Sequence, residues 1–124
     1  MRTTPERRTR RSTTPHIALT LQLETCCDSG IEAMVLADGD GLPLASAGDG
    51  FVCEEVAGKI VIVARRIRDF AGTLLGPGQR WDVQMTKFEV DGAELVLCAV
   101  GGSAADRQRQ IARSVDGVQR ILAA

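Results

Sequence analysis

The sequence has few aromatic residues and a single histidine, and both shortages argue against familiar kinds of active site. Aromatic residues make up 3% of the 124 residues, and His16 is the one histidine. Serine and cysteine hydrolases need a histidine base, and a zinc site needs several ligands at regular spacing. The sequence also has no Cys-x-x-Cys pair and no phosphate-binding loop ending in Lys-Ser or Lys-Thr. It therefore predicts no catalytic residues, no metal and no cofactor, and we do not expect an enzyme.

Long apolar runs are missing as well. No stretch reaches the roughly 18 apolar residues that a membrane span needs. No apolar core follows the basic start, as it would in a secretory signal. We therefore expect a cytoplasmic protein without a membrane span, in which the four cysteines are free thiols.

The charges are unevenly distributed, although the formal net charge is only −1. Residues 1–12 contain five arginines and one acid, Glu6, so the rest of the chain is acidic. An acidic domain argues against nucleic-acid binding. Because the basic segment has no large apolar residue after Met1, we expect a disordered tail over residues 1–13 and one domain over residues 14–124. The tail either stays solvated or touches an acidic partner or an anionic lipid surface.

Periodicity and turn signals predict the order α-β-β-α-β-β-α. The predicted elements are a helix from Pro15 to about Asp28, strands over 31–37 and 42–46, a helix over 51–75, strands over 81–90 and 93–100, and a last helix capped by Ser103. The first helix also alternates like a strand between residues 17 and 23, so periodicity leaves that choice open. Pro43 lacks a backbone N–H, so its strand should lie at a sheet edge. The strands over 31–37 and 93–100 are apolar on both faces and should be central.

The long predicted helix gives the strongest indication of a partner. Around residues 60–64 it is apolar all round, and such a helix must be buried on more than one side. The sheet covers one side only, so a second copy of the same helix is the simplest cover for the other. The competing interpretation makes residues 60–64 a buried strand, because they are rich in β-branched residues. Glycines at 76 and 78, with Pro77 between them, should end the helix.

Residues 81–90 change phase within the predicted strand. Trp81, Val83 and Met85 share one parity, whereas Phe88 and Val90 follow the other. A bulge or tight turn near residues 86–87 would explain the change. Depending on which of these is present, the sheet has four or five strands.

Two groups of residues resemble functional sites but fit structural roles better. Cys26-Cys27 lies near a predicted helix C-terminus, where the helix dipole opposes thiolate formation, so we expect inert buried thiols. The segment from Asp38 to Gly41 resembles the start of a calcium loop. However, Leu42 and Pro43 stand where that loop requires a ligand and a glycine. A tight hairpin turn is therefore the preferred interpretation.

The stretch Gly30-Ile-Glu-Ala-Met-Val-Leu-Ala-Asp-Gly-Asp-Gly-Leu-Pro-Leu-Ala-Ser46 resembles the signature hairpin of the roadblock/dynein light-chain family. The shared pattern is a glycine, an apolar strand, an acid-glycine turn and Gly-Leu-Pro followed by small residues. The resemblance covers roughly residues 17–123. It implies an α+β fold, namely a profilin-like α/β/α sandwich with an antiparallel sheet of four to five strands in the order α-β-β-α-β-β(-β)-α.

The resemblance also implies a function. Members of the family dimerise through the second helix and the edge strand after it, and they act as scaffolds or regulators of Ras-like small GTPases. Here the implied pairing surfaces are helix 51–75 and the strand that starts near Trp81. The residues expected at a homodimer interface are Val56, Ile60, Val63, Ile67, Trp81 and Val83. The residues expected to face a GTPase partner are Lys59, Arg65, Arg66 and Asp69.

Three other functions stay open at this point. The chain could be a structural scaffold or heterodimer subunit without a GTPase partner. It could be a thiol redox protein that uses Cys26-Cys27, or a small-ligand sensor of profilin-like shape.

Overall fold

The computed structural model describes residues 3–28, 30–76 and 78–123, with side chains described from Pro15 onward. Within these residues it has three helices and five strands. They are α1 (Thr3–Cys27), β1 (Ala33–Asp38), β2 (Pro43–Gly48), α2 (Gly50–Ala64), β3 (Asp69–Gly76), β4 (Gln79–Val90), β5 (Ala93–Val100) and α3 (Ala104–Ala123). The strands form one antiparallel sheet in the order β2-β1-β5-β4-β3. The predicted α+β sandwich is confirmed, with five strands.

Both faces of the sheet are covered by helices. Helices α1 and α3 pack on one face, and α2 packs on the other. Along β1, Met34 and Leu36 point towards α1 and α3, whereas Ala33 and Val35 point towards α2. Alternation between two apolar layers requires apolar residues at every position, which is why this strand has no polar face. The predicted central position of β1 and β5 and the edge position of β2 are confirmed.

The second helix is shorter than predicted, because α2 ends at Ala64 and residues 69–76 form β3. The predicted helix 51–75 is therefore wrong beyond Ala64, and so is the alternative that made residues 60–64 a strand. Phe70 and Leu74 lie at a spacing that fits a helix, but a strand also places them on one face. Gly72 and Thr73 between them are poor helix formers. The glycines at 76 and 78 flank the β3–β4 turn rather than a helix end.

Strand β4 continues without a bulge, so the predicted irregularity near residues 86–87 is wrong. Its pairing with β5 keeps one register from Val83 to Val90. The apparent change of phase arises because different halves of the strand are buried on different faces. Trp81 and Val83 face α2, whereas Phe88 and Val90 face α1 and α3. The fifth strand comes from β3 and not from a division of residues 81–90.

The turn between β1 and β2 is held by Asp38. One oxygen of its carboxylate accepts hydrogen bonds from the backbone N–H groups of Asp40 and Leu42, both at 2.9 Å. Gly41 adopts a φ of +91° in this turn, and a Cβ at that position would collide with the Val61 side chain of α2. Glycine is therefore required both by the backbone and by the packing of the turn on α2.

Helix α1 begins at Thr3, earlier than the predicted start at Thr14-Pro15, and it contains Pro15 in its interior. The preceding segment is rich in arginine, which is a good helix former, so the hydroxyl-proline pair does not have to begin the helix. Over residues 15–28 the helical interpretation is confirmed, because Leu19, Leu23 and Cys26 are buried at helical spacing. The division into a tail over 1–13 and a domain over 14–124 stays a prediction, since the side chains before Pro15 lie outside the described residues.

Candidate interaction surface

Helix α2 is fixed to the body of the domain at both ends. At its start, Asp49 is the N-cap, and its Oδ1 accepts a hydrogen bond from the Val52 backbone N–H at 3.0 Å. At its end, the Ala64 carbonyl accepts a hydrogen bond from Lys87 Nζ at 2.7 Å. Lys87 belongs to β4, so the helix end is tied directly to the sheet. The orientation of each face of α2 is therefore set by the fold.

The inner face of α2 is apolar and packs on the sheet. Val56 and Ile60 are 0% and 1% exposed, and they lie in one cluster with Val83 and Cys98. Burying aliphatic side chains of this size stabilises the fold by about 1.5–3 kcal/mol each. This face is part of the protein core and is not free to contact another molecule.

The outer face of α2 leaves large apolar side chains in solvent. Phe51 is 53% exposed and Ile62 is 60% exposed. Gly58 lies between them at helical spacing, and no atom lies within 4 Å of the position that its Cβ would take. The outer face therefore has an apolar side chain towards each end and a shallow gap between them.

Charges of opposite sign mark the two ends of the same face. Glu54 is exposed and Glu55 is partly exposed in the first half of the helix, whereas Arg65 and Arg66 are exposed immediately after its last turn. The two acids lie beyond the first turn of the helix, whereas Arg65 is its C-cap, where the helix dipole favours a positive charge. The acids thus lie on the Phe51 side of Gly58, and Ile62 and the arginines lie on its other side.

The edge strand β3 packs against α2 through Phe70 and Leu74. In the part of the chain that the structure describes, β3 pairs with β4 alone, so its other edge is open. Leu75 at the end of the strand is 70% exposed, and Ile67 in the preceding loop is 43% exposed. Strand edges with free backbone groups and exposed apolar side chains are sites where another strand can pair.

The structure divides the six residues predicted for a dimer interface into two groups. Val56, Ile60, Trp81 and Val83 are buried within one chain, at 0%, 1%, 4% and 0% exposure, because they face the sheet or lie beneath α2. Val63 is partly buried and Ile67 is exposed. Trp81 also belongs to β4, which lies inside the sheet. The edge strand after the second helix is β3, and Gly58 and Ile62, which sequence reasoning missed, occupy the outward positions.

The residues predicted to face a GTPase lie around the end of α2. Arg65, Arg66 and Asp69 are exposed in or beside the loop between α2 and β3, and Lys59 is partly exposed on the helix. The structure does not bring all four together: Lys59, Arg65 and Arg66 lie on α2 or just after it. The Asp69 carboxylate instead meets the Thr86 hydroxyl on the opposite face of the sheet. Their role in binding a partner stays a prediction.

The cysteines have the properties of structural thiols. Burial raises the pKa of Cys27 to about 11 and that of Cys98 to about 12, and it also raises the pKa of Cys53. The Cys26 thiol lies 2.9 Å from the Ser114 hydroxyl in the interior. A thiol that stays protonated at neutral pH is a poor nucleophile, so these cysteines do not resemble a redox pair.

Metal binding and membrane insertion also have no support in the described residues. Asp38, the first acid of the calcium-like segment, is engaged with the backbone of its own turn. No group of three or more histidine, cysteine, aspartate or glutamate side chains in the described part of the chain could hold a metal ion. Among the helices described, none has both the length and the apolar character needed to cross a membrane.

Comparison with known proteins identifies the architecture. No family model and no curated protein matches the sequence. Solved structures do match. An MglB described in a tetrameric arrangement superposes with a TM-score of 0.65 at 14% identity, covering 86% of this chain and 89% of that one. The gliding protein MglB of Thermus thermophilus gives 0.59 at 15% identity, with 86% and 90% coverage. MglC of Myxococcus xanthus gives 0.57 at 10% identity, with 83% and 98% coverage. At these identities the likeness concerns the fold alone, and it confirms what the hairpin indicated: the chain has the roadblock/longin-like fold.

Proposed function

We propose that the chain is a non-enzymatic homodimeric module that binds a small Ras-like GTPase as a regulator or scaffold. The observation that carries the proposal is the exposure of Phe51 and Ile62 on the outer face of α2, beside the open edge of β3. Apolar side chains that share one exposed helix face, bordered by charged residues, form a surface that a partner can cover. The roadblock/longin-like fold supports the same function, because regulation and scaffolding of small GTPases is what the family resemblance implies.

The outer face of α2 is complementary to a second copy of itself. If two copies of α2 cross antiparallel about residue 60, Ile62 of each lies opposite Gly58 of the other. Gly58 has no side chain, and the space above it is open. The Ile62 side chain of the other copy then fits into that space. A symmetric pair uses one patch twice, so each contact occurs twice.

The charges favour the same arrangement. In the antiparallel register, Glu54 and Glu55 of one copy lie opposite Arg66 and Arg65 of the other. A parallel arrangement would place like charges together and would be repelled. The pattern of acid, apolar gap and base along one helix therefore favours a homodimer over pairing with an unrelated subunit.

Pairing through β3 would extend the same interface. Its open edge can pair with the β3 edge of the second copy and join two five-stranded sheets into one. Ile67, exposed in the loop before β3, would lie at this interface, whereas Leu75 shares the face of Ala71 and Thr73 opposite α2. A small GTPase would contact the dimer around the end of α2, at Lys59, Arg65 and Arg66, and at Asp69 where β3 begins.

A binding assay with small GTPases tests whether the chain has such a partner. The full chain is immobilised and offered small GTPases from the same genome, each loaded with GDP or with a non-hydrolysable GTP analogue. We expect retention of at least one GTPase, with a preference for one nucleotide state. Arg66→Ala should weaken retention, whereas Arg113→Ala, at an exposed arginine of α3, should not. The mass of each variant is measured as well, so that a loss of pairing is not mistaken for a loss of the GTPase contact.

The same assay separates the alternatives. If a GTPase is retained but its hydrolysis rate is unchanged, the chain is a scaffold rather than a regulator of hydrolysis. If the dimer forms and no GTPase is retained in either state, the chain is a structural scaffold or subunit without a GTPase partner, and the proposal is wrong in that part.

A further inference from the structure

The helical layer opposite α2 is narrower than the sheet that it covers. Helix α1 packs over β1 and β2, and α3 packs over β4 and β5. Packed helices lie about 8–10 Å apart and neighbouring strands about 4.8 Å apart, so two helices cover about four strands. The fifth strand, β3, lies beyond this layer. Its residues on that face, among them Ala71 and Thr73, are exposed.

A groove of about 590 Å³ runs between α3 and this uncovered part of the sheet. Ala71, Gln84 and Thr86 contribute to its floor, and Ile111, Ala112 and Val115 of α3 form its wall. It is open on the side of β3, where no further element of the described chain lies over the sheet. The groove runs alongside α3 and the sheet forms its floor. It therefore has the shape of a site that one further helix would fill, next to α3 in the same layer.

The charged residues of the groove have one sign. Its lining contains the carboxylates of Asp69 and Asp116 and no lysine or arginine. Asp69 is held in place on the floor, where its Oδ1 accepts a hydrogen bond from the Thr86 hydroxyl at 2.5 Å. Asp116 is exposed on the wall. The two acids lie at the margins of an apolar strip, and a ligand that fits must be apolar in the middle and cationic at the edges.

We propose that this groove docks an amphipathic helix of a partner protein, with apolar residues on one face and arginine or lysine beside them. Helices are commonly recognised in this way, with apolar anchors at helical spacing in a groove and charges at its rim. The groove is on the face opposite α2 and is lined by side chains rather than by the free edge of β3. The α2 surface proposed for dimerisation lies on the other face of the sheet. The groove shares Asp69 with the residues proposed to face a GTPase, so the variants that test the groove are placed on α3, away from both proposed contacts.

The chain's own basic N-terminal segment does not match the groove. Residues 2–12 supply five arginines but no large apolar residue, so they could meet the carboxylates without filling the strip along Ile111 and Val115. The occupant is therefore a segment of another protein that has both kinds of residue.

Peptide binding to the full-length chain tests this proposal. The probe is a fluorescein-labelled synthetic helix of about 18 residues, roughly five turns, with leucine along one face and arginine on both sides of it. One control peptide has the same composition in scrambled order, and a second replaces every arginine by glutamate. Binding is measured by fluorescence anisotropy at two salt concentrations.

Two pairs of variants locate the site. Asp116→Lys reverses a charge in the groove, and Asp28→Lys makes the same change in net charge at an exposed residue after α1. Ala112→Trp fills the groove, and Ala105→Trp places the same side chain at an exposed position of α3 that does not line it. Circular dichroism and thermal unfolding confirm that each variant is folded.

We expect saturable binding of the arginine peptide only. Asp116→Lys should weaken it by about tenfold, because a partly desolvated charge pair becomes a repulsion. Ala112→Trp should weaken it at least as much, and both controls should bind like the unchanged protein. The proposal is overturned if the arginine peptide does not bind, if the scrambled or glutamate peptide binds equally well, or if the groove variants bind like their controls.

Discussion

Replacing Gly58 by leucine should weaken pairing of two copies while leaving the single chain folded. No atom lies within 4 Å of the Cβ position of Gly58, so a Cβ can be added there without a collision within the chain. Glycine in a helix interior costs about 0.5–1 kcal/mol relative to alanine, so most of that cost should be regained. The variant should unfold at a higher temperature than the original when both are monomeric.

The effect on the dimer follows from the exposure of Ile62. Complete burial of an isoleucine side chain is worth about 1.5–3 kcal/mol, and 60% of Ile62 is exposed in one chain. Burying the Ile62 side chain opposite Gly58 of the other copy therefore stabilises the dimer by about 1–2 kcal/mol. Because the contact occurs twice in a symmetric pair, Gly58→Leu should remove about 2–4 kcal/mol. Each 1.4 kcal/mol corresponds to about a tenfold change, so the dissociation constant of the dimer should increase by a factor between about 30 and several hundred.

Sedimentation equilibrium over a range of concentrations measures this change. Gly50→Leu is the matched control, since Gly50 also has no atom within 4 Å of its Cβ position but lies at the first residue of α2. An unchanged dissociation constant for Gly58→Leu would refute the antiparallel arrangement about residue 60. An equal loss in both variants would show that the effect is not specific to the contact between Gly58 and Ile62.

Three further changes test the fold and the thiols. Gly41→Ala should lower the free energy of unfolding by about 1–3 kcal/mol in urea denaturation, because the positive φ strains alanine and its Cβ collides with Val61; unchanged stability would contradict the described turn. Lys87→Met should cost about 1–2 kcal/mol in the same assay, since the Ala64 carbonyl loses its donor. Alkylation of Cys27 by iodoacetamide should be slow at pH 7, where a pKa of about 11 leaves about one thiol in ten thousand ionised. The rate should rise as the pH approaches 11, and fast labelling at pH 7 would revive the redox hypothesis.

Local chemistry made the first half of the fold predictable. The turn at Asp38 has an acid that can accept backbone hydrogen bonds and a glycine at the position that needs a positive φ. Pro43 cannot donate to a neighbouring strand, so it placed β2 at an edge. The apolar residues at every position of β1 and β5 placed those strands in the centre. Each of these features depends on neighbouring residues only.

The region around β3 was not predictable in the same way, because its pattern is ambiguous over short distances. Phe70 and Leu74 are four residues apart, which suits one face of a helix and one face of a strand. Gly72 and Thr73 were the available signal for a strand. In β4, alternation by itself could not show that α2 covers one half of the strand while α3 covers the opposite face of the other half. Only the arrangement of the helices explains that pattern.

Four of the six residues predicted for a dimer interface are buried within one chain, so that prediction selected inward positions of α2 and β4. Apolar periodicity selects the largest continuous stripe, and on α2 that stripe, which includes Val56 and Ile60, packs on the sheet. A surface that pairs with another molecule needs fewer apolar residues than a face that packs on the sheet. A single residue such as Ile62 therefore does not appear as a stripe in the sequence. Gly58 was the overlooked signal, because a glycine in the interior of an exposed helix face is costly unless something uses the space.

The mass of the chain in solution shows whether the outer face of α2 joins two copies. Light scattering or sedimentation equilibrium is carried out on the unchanged chain and on Ile62→Asp, a substitution at a position that is 60% exposed and therefore compatible with a folded single chain. We expect twice the mass of one chain for the unchanged protein and a folded species of single mass for Ile62→Asp. A single-chain mass for the unchanged protein at every concentration, or a dimer that Ile62→Asp leaves intact, would contradict this pairing.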